Sequence, residues 1–203
     1  MHETADAKRT RMSSTPSLIV VVAGLLAGGL RAAELDLGSA TSRTPYDSYL
    51  APMWQVFRQL GGAEPDRAAV EQLIRESRGF RYAYRKGQPY VPQTPEQTEA
   101  TKCGDCKAKS LWLAAKMKSR KVRFVIGKAK AGDAASHAWL MWDGPEGWLI
   151  LDATRSSRPL VPARLSPSEL VPTYSYAPGG KYAHTVSAAA VKALSIRSHS
   201  SRP

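Results

Sequence analysis

Two apolar runs joined by a Gly/Pro-containing loop constrain the fold of this chain more than any other feature. Residues 137–143 read HAWLMWD, residues 144–147 read GPEG, and residues 148–154 read WLILDAT. Short apolar runs on either side of such a loop predict a β-hairpin, which belongs to an antiparallel sheet. The run VRFVIGKA at residues 122–129 alternates between apolar and other residues and predicts one more strand.

The hairpin also brings a histidine and a carboxylate together. If Asp143 pairs with Trp148, His137 becomes the diagonal neighbour of Asp152. If Asp143 pairs with Glu146 instead, His137 faces Asp152 directly. Both registers place the two side chains on one face of the hairpin, within reach of each other. Asp152 interrupts an apolar run, which is unusual in a half-buried strand unless the carboxylate has a partner.

Two helices are predicted ahead of the strands, in residues 46–62 and 64–80. Both segments carry spaced apolar residues and end near glycines, and Asp66 is a good N-cap for the second helix. Residues 81–102 are rich in Pro, Gln and Thr and predict a loop. The chain after residue 155 is rich in Ser and Pro, and no regular element is predicted there.

A third helix is predicted from about residue 105 to residue 120. Its apolar positions form a broad buried face, whereas Lys107 and Lys109 are expected mostly on the solvent side. Cys106 falls in the first turn, where unpaired N–H groups and the positive end of the helix dipole stabilise a thiolate. A nucleophilic cysteine also needs a base, and His137 opens a strand at the rim of the predicted sheet.

The two cysteines of the chain, Cys103 and Cys106, lie in a CGDCK context that looks like a CxxC redox motif. A dithiol of that kind follows a β-strand, whereas TPEQTEATK, residues 94–102, precedes it here. One CxxC with four scattered histidines is also a poor set of ligands for zinc. Neither a metal nor another cofactor is predicted, and a thiol redox module stays an alternative.

The order of these motifs matches a known family. The run GDCKAKSLWLAAKMKSRKVRFVIGKA…SHAWLMWDGPEGWLILDAT resembles the transglutaminase-like superfamily, whose pattern is Gly-x-Cys on a helix, then His-Ala-Trp, then an Asp that ends the next strand. The run QTPEQT…GDCKAKS is most similar to the bacterial transglutaminase-like cysteine peptidases. The resemblance covers residues 95–155 well and residues 46–185 loosely.

The resemblance implies a fold and a set of roles. The fold would be α+β with a papain-like, transglutaminase-like core, in which N-terminal helices include a Cys-bearing helix packed on an antiparallel sheet. Cys106 would be the nucleophile, His137 the base and Asp152 the acid that orients the histidine. An oxyanion donor would lie upstream of the cysteine, where Gln97 is the first candidate and Gln93 the second.

Two features depart from the family pattern. Exported peptidases of this type often carry acidic residues just after the cysteine, associated with calcium, but here Lys107, Ala108 and Lys109 follow. We therefore predict no calcium site. Cys103 is not required by the pattern, and it is expected to be incidental unless it forms a disulfide with Cys106 that switches the nucleophile off.

The ends of the chain have compositions of their own. KRTR at residues 8–11 followed by the apolar run at residues 18–30 is typical of a signal peptide, so residues 1–33 are expected to direct export, as a cleaved peptide or an N-terminal anchor. Residues 34–45 are predicted as a linker, residues 46–185 as the transglutaminase-like domain and residues 186–203 as a basic flexible tail. The expected location is periplasmic or secreted.

The net charge of +12 favours anionic partners, such as an anionic surface or a cell-wall polymer. No nucleic-acid-binding motif is visible, so no specific nucleic acid is expected. The function that these observations favour is thiol acyl transfer on a protein or peptide substrate, as a cysteine peptidase or amidase. The alternatives are protein-glutamine transglutaminase activity, which uses an amine in place of water, and a non-catalytic member of the fold that binds a peptide or cell-wall component.

Overall fold

The computed structural model describes residues 35–84 and 90–184. Its helical elements are α1 (Ala51–Gln59), α2 (Arg67–Gly79), α3 (Pro95–Thr101) and α4 (Cys106–Met117), with 3-10 turns at Asp47–Tyr49 and Pro162–Arg164. Asp66 caps α2 as predicted, because its side chain accepts a hydrogen bond from the Ala69 N–H at 2.7 Å. The predicted helix 46–62 is shorter than expected, since α1 begins only at Ala51 and ends before the glycine pair.

The strands form one antiparallel sheet of six and one parallel pair. The strands of the sheet are β1 (Ser39–Thr41), β4 (Val122–Lys130), β5 (His137–Gly144), β6 (Gly147–Leu151), β7 (Glu169–Ala177) and β8 (Gly180–Ala183), in the order β1-β8-β7-β4-β5-β6. The pair consists of β2 (Arg81–Tyr82) and β3 (Cys103–Gly104), in which Tyr82 lies opposite Gly104. This short pair holds the segment that follows α2 against the segment that leads into α4.

The two faces of the sheet are covered differently. Helix α4 is buried along nearly its whole length, and its Leu111 and Trp112 pack in one cluster with Leu140 of β5. The opposite face carries a smaller cluster that includes Trp139 and Met141. The fold class predicted from the sequence, α+β with the Cys-bearing helix packed on an antiparallel sheet, is confirmed.

The central hairpin adopts the first of the two predicted registers. Asp143 pairs with Trp148, and Gly144 pairs with Gly147, so only two residues form the turn. The alternative pairing of Asp143 with Glu146 is wrong. The strand β6 ends at Leu151, and Asp152 is therefore the first residue beyond the ladder rather than a residue within it.

Three segments contain regular structure that the sequence analysis did not predict. Residues 81–102 include α3, which begins with a capping box made by Thr94 and Gln97. The Ser/Pro-rich chain beyond residue 155 supplies β7 and β8. Residues 34–45 include the edge strand β1, which pairs with β8, so the sheet starts before the predicted domain boundary at residue 46.

The prediction that Lys107 and Lys109 lie mostly on the solvent side of α4 is wrong. Lys107 is 9% exposed and Lys109 is 1% exposed, because other parts of the chain cover this end of the helix. The Lys109 ammonium donates a hydrogen bond to the Phe80 carbonyl oxygen at 2.6 Å, which satisfies part of its demand for partners. Lys116 near the other end of the helix is exposed.

None of the helices within residues 35–84 and 90–184 is long and apolar enough to cross a membrane. The predicted signal peptide or anchor, residues 1–33, and the predicted tail, residues 186–203, lie outside the described residues, and both stay predictions.

Candidate active site

Cys106 is the first residue of α4, and the residues before it explain why the helix begins there. The Asp105 carboxylate accepts hydrogen bonds from the N–H groups of Lys107 at 3.0 Å and Ala108 at 2.9 Å, as an N-cap does. Gly104 allows a close approach, since a Cβ at this position would lie 2.9 Å from the Ala108 Cβ. Cys106 is thus held in the first turn of a buried helix, where the helix dipole favours a negative charge.

His137 and Asp152 meet where β5 begins and β6 ends. The His137 Nε2 atom lies 2.8 Å from Asp152 Oδ2. The other carboxylate oxygen, Oδ1, accepts hydrogen bonds from the Thr154 N–H at 3.0 Å and the Thr154 hydroxyl at 2.7 Å. Asp152 is fully buried, so this carboxylate has a fixed orientation and no direct contact with solvent.

The Cys106 side chain lies next to the His137 side chain and helps to raise the pKa of His137. Because Nε2 of the ring contacts Asp152, the other ring nitrogen, Nδ1, is the one available to the sulfur. The structure therefore brings Cys106, His137 and Asp152 together, although 31 and 15 residues separate them in the sequence, and we call them the Cys106–His137–Asp152 series. A thiol next to an imidazole that is oriented by a carboxylate is the arrangement that nucleophilic acyl transfer requires.

The electrostatics of the series favour a protonated imidazole. Burial alone would lower the pKa of His137, but the hydrogen bonds and negative charges of Asp152 and Cys106 outweigh burial and raise the pKa to about 9. Burial would raise the pKa of Asp152, but the His137 ring and the Thr154 hydrogen bonds lower it below its ordinary value. At neutral pH the site therefore holds an imidazolium between a carboxylate and the cysteine sulfur.

This raised pKa predicts a pH dependence of folding. The folded state holds the His137 proton more tightly than an unfolded chain, in which a histidine titrates near 6.5. The resulting stabilisation is complete below pH 6.5 and is lost as the pH rises through about 9. It amounts to on the order of 2 kcal/mol between pH 7 and pH 10. Urea unfolding should show this loss in the wild type and not in His137→Gln; parallel pH dependences of the two proteins would contradict it.

Two tyrosines that the sequence analysis did not single out contact the same region. The Tyr82 side chain lies near Cys106, and the pKa of Tyr82 is raised to about 12 by burial and by the nearby charges of Cys106 and Asp105. The Tyr90 hydroxyl donates a hydrogen bond to Asp105 Oδ2. Thr154 was missed as well, although Asp-x-Thr is a spacing that allows the threonine to hold the carboxylate.

The structure argues against Gln97 as an oxyanion donor. Its side-chain oxygen accepts a hydrogen bond from the Thr94 N–H at 3.1 Å, so the side chain caps α3 on the surface. Gln93 is the better candidate, because it is buried and its Oε1 lies beside Gly104, 3.6 Å from the position that a Cβ would occupy there. Of the two glutamines predicted as oxyanion donors, the structure therefore favours Gln93 over Gln97.

Cys103 lies on β3, and Cys106 begins α4. Both are buried thiols in the structure, and no disulfide joins them. The suggested redox partnership between the two cysteines is not tested by this arrangement and stays a prediction.

The residues around Cys106 do not fit a calcium ion. Within the described ranges, no group of three or more His, Cys, Asp or Glu side chains is arranged to hold a metal ion. The two residues that would have to carry acidic ligands just after the cysteine are instead the buried Lys107 and Lys109, whose ammonium groups repel a cation.

Comparisons with known proteins find only distant similarity. No family model matches the sequence, and no curated protein matches it. Among solved structures, the chain is similar to LapG of Legionella pneumophila, at 19% identity and a TM-score of 0.48, over 71% of this chain and 85% of that one. It is also similar to the calcium-bound form of Legionella pneumophila LapG, at 21% identity and a TM-score of 0.48, over 71% of this chain and 87% of that one. Similarity at this level assigns neither a family nor an activity to the chain.

Proposed function

We propose that this protein is a thiol acyl-transfer enzyme that hydrolyses peptide or amide bonds. The observation that carries the proposal is the Cys106–His137–Asp152 series, in which His137 is hydrogen-bonded to Asp152 and lies next to Cys106 at the N-terminus of a buried helix. Burying the Asp152 carboxylate costs free energy, even with its two hydrogen bonds from Thr154 and its contact to His137. Orienting His137 as a base is a role that accounts for this cost.

The first half of the reaction forms a thioester. The Cys106 sulfur attacks the carbonyl carbon of the substrate amide, and the C=O π electrons move to the oxygen. When the tetrahedral intermediate collapses, the C–N bond breaks and the leaving amine takes the proton of the His137 imidazolium. The pKa of about 9 makes this proton available throughout the neutral range. Asp152 keeps Nε2 engaged, so the proton on the opposite nitrogen faces the reacting atoms.

The second half of the reaction releases the acyl group. The neutral His137 takes a proton from water as the water oxygen attacks the thioester carbon, and the C–S bond breaks to regenerate the thiolate. A primary amine in place of water would make the reaction a transglutamination. We favour water because it needs no second binding pocket. We further propose that the substrate is a protein or peptide that the enzyme meets after export.

The oxyanion of both tetrahedral intermediates needs donors. We propose the backbone N–H of Cys106, at the first position of α4, and the side-chain amide of Gln93, which lies beside Gly104 two residues before Cys106. Gln93→Ala is expected to lower kcat about 10²- to 10³-fold, which is typical for the loss of one oxyanion donor. Gln97→Ala is the matched control, since it removes only a surface helix cap and should leave kcat within about threefold of the wild type. Equal effects of the two substitutions would remove Gln93 from the mechanism.

The proposal is tested by trapping the acyl-enzyme. The wild type is mixed with p-nitrophenyl esters of N-acetylated amino acids, quenched in acid within milliseconds to seconds, and measured by intact-protein and peptide mass spectrometry. We expect an acyl mass on Cys106, its loss over time in water, and its transfer to an added primary amine if the enzyme is a transglutaminase. A non-catalytic peptide-binding protein would give no adduct. A redox module would give no adduct either, and in a separate sample oxidised glutathione, itself reduced to two equivalents of glutathione, would convert it to the Cys103–Cys106 disulfide.

A further inference from the structure

A small cavity is lined in part by residues that adjoin two of the proposed catalytic residues in the sequence. Its wall includes the residue after Cys106 and the residue before His137, and its volume is about 230 Å³. Sites for whole small-molecule ligands usually measure about 300–1,000 Å³, so a cavity of this size suits a single side chain. Half of the residues that line it are tyrosines, namely Tyr46, Tyr49, Tyr84 and Tyr90, and the others are Lys107, Ser136 and two aliphatic residues.

Lys107 is the cationic group in this wall. Its side chain is 9% exposed, and its ammonium lies 5.0 Å from the centroid of the Tyr90 ring. Within residues 35–84 and 90–184, no ion pair includes Lys107. Lys109, two residues later, differs because its ammonium donates to the Phe80 carbonyl. Burying a cation costs free energy unless an anion pairs with it, and a ring face compensates this cost less than a carboxylate does.

The position of Lys107 in the helix gives a second reason to look for that partner. It is the second residue of α4, where the positive end of the helix dipole opposes a cation. A lysine is therefore unfavourable for folding both by burial and by its place in the helix. Folding stability therefore does not account for a lysine at position 107. An anionic ligand that reaches Lys107 through the cavity would account for it.

We propose that this cavity is a substrate subsite for a carboxylate-bearing residue, Asp or Glu, adjacent to the amide that Cys106 attacks. This inference rests on the proposed acyl-transfer function. The Lys107 ammonium pairs with the carboxylate, and the tyrosine rings contact the methylene groups of the same side chain. The net charge of +12 adds a long-range attraction for acidic peptides. The preferred substrates are thus acidic peptide segments.

The preference is measured with blocked tetra-alanine peptides, N-acetylated and C-amidated, in which Glu, Gln or Lys replaces each alanine in turn. Glu and Gln have almost the same shape, so the comparison isolates the charge. We expect one position at which Glu raises kcat/KM at least tenfold over Gln. Lys107→Met should abolish this difference and Lys107→Glu should shift the preference to Lys, whereas Lys116→Met, at an exposed position of the same helix, should retain it. No position favouring Glu, or a preference that survives Lys107→Met, would overturn the subsite.

Binding separates this inference from the proposed function. The same peptides are titrated into Cys106→Ala protein by calorimetry, which needs no turnover. Tenfold tighter binding of a Glu peptide than of its Gln counterpart supports the subsite even if the wild type cleaves nothing, in which case hydrolysis alone is refuted. Equal binding of both peptides overturns the subsite even if cleavage occurs. Lys107→Met should also unfold at an equal or higher urea concentration than the wild type, and a lower midpoint would indicate a structural role instead.

Discussion

Replacing Cys106 by alanine is expected to lower kcat/KM by about 10⁴-fold or more while the fold remains intact. The sulfur is the atom that forms the thioester, and no other group at the start of α4 can replace it as a nucleophile. Alanine is small and favours helices, so it fits the buried first position of the helix. Hydrolysis of a peptide or ester substrate gives the activity, and circular dichroism with urea unfolding gives the fold.

The matched control is Cys103→Ala, which changes the other cysteine three residues earlier. Cys103 lies on β3 and is not one of the three residues proposed to react, so this variant should keep kcat/KM within about tenfold of the wild type. A similar large loss in both variants would support the dithiol redox module, because such a module needs both sulfurs.

Asp152→Asn is expected to lower kcat/KM by about 10³- to 10⁴-fold. The amide is nearly the same shape as the carboxylate, but it has no charge and can donate a hydrogen bond to His137 Nε2, which favours the wrong tautomer of the ring. Loss of the charge also lowers the pKa of His137, which stands at about 9 in the wild type. The kcat/KM of the wild type should fall on the alkaline side near pH 9, and the remaining activity of the variant should fall at a lower pH.

Asp143→Asn is the control for this substitution, since Asp143 lies in the same hairpin but pairs with Trp148 near the turn. It should leave both the rate and the alkaline pH dependence unchanged. An Asp152→Asn variant with near wild-type activity would show that the carboxylate is structural and that the histidine needs no orienting group.

The parts of the site that local pattern determines were predictable from the sequence. Strand alternation has a period of two, so the pairing of Asp143 with Trp148 was enough to place His137 and Asp152 on one face. The start of α4 near residue 105 was predicted as well, and Asp105 is its N-cap in the structure. These features depend on neighbours within a hairpin or one turn of a helix.

The remainder depends on contacts between distant segments, which no local pattern encodes. Tyr82 reaches Cys106 only because β2 pairs with β3, and both strands are two residues long. Helical periodicity identified one buried face of α4, but it could not show that the chain also covers Lys107 and Lys109. The capping box of Thr94 and Gln97 had a readable signature, and the polar composition of that segment concealed the short helix.

The central claim is that Cys106 is an activated nucleophile, and its alkylation rate tests this claim most directly. Cys103→Ala protein contains Cys106 as its single cysteine, so iodoacetamide labelling followed by mass spectrometry reports on one thiol. At pH 7 we predict that Cys106 reacts at least tenfold faster than a small free thiol such as N-acetylcysteine amide, and that His137→Ala removes this advantage. If Cys106 reacts no faster than the free thiol, the site is not an acyl-transfer centre.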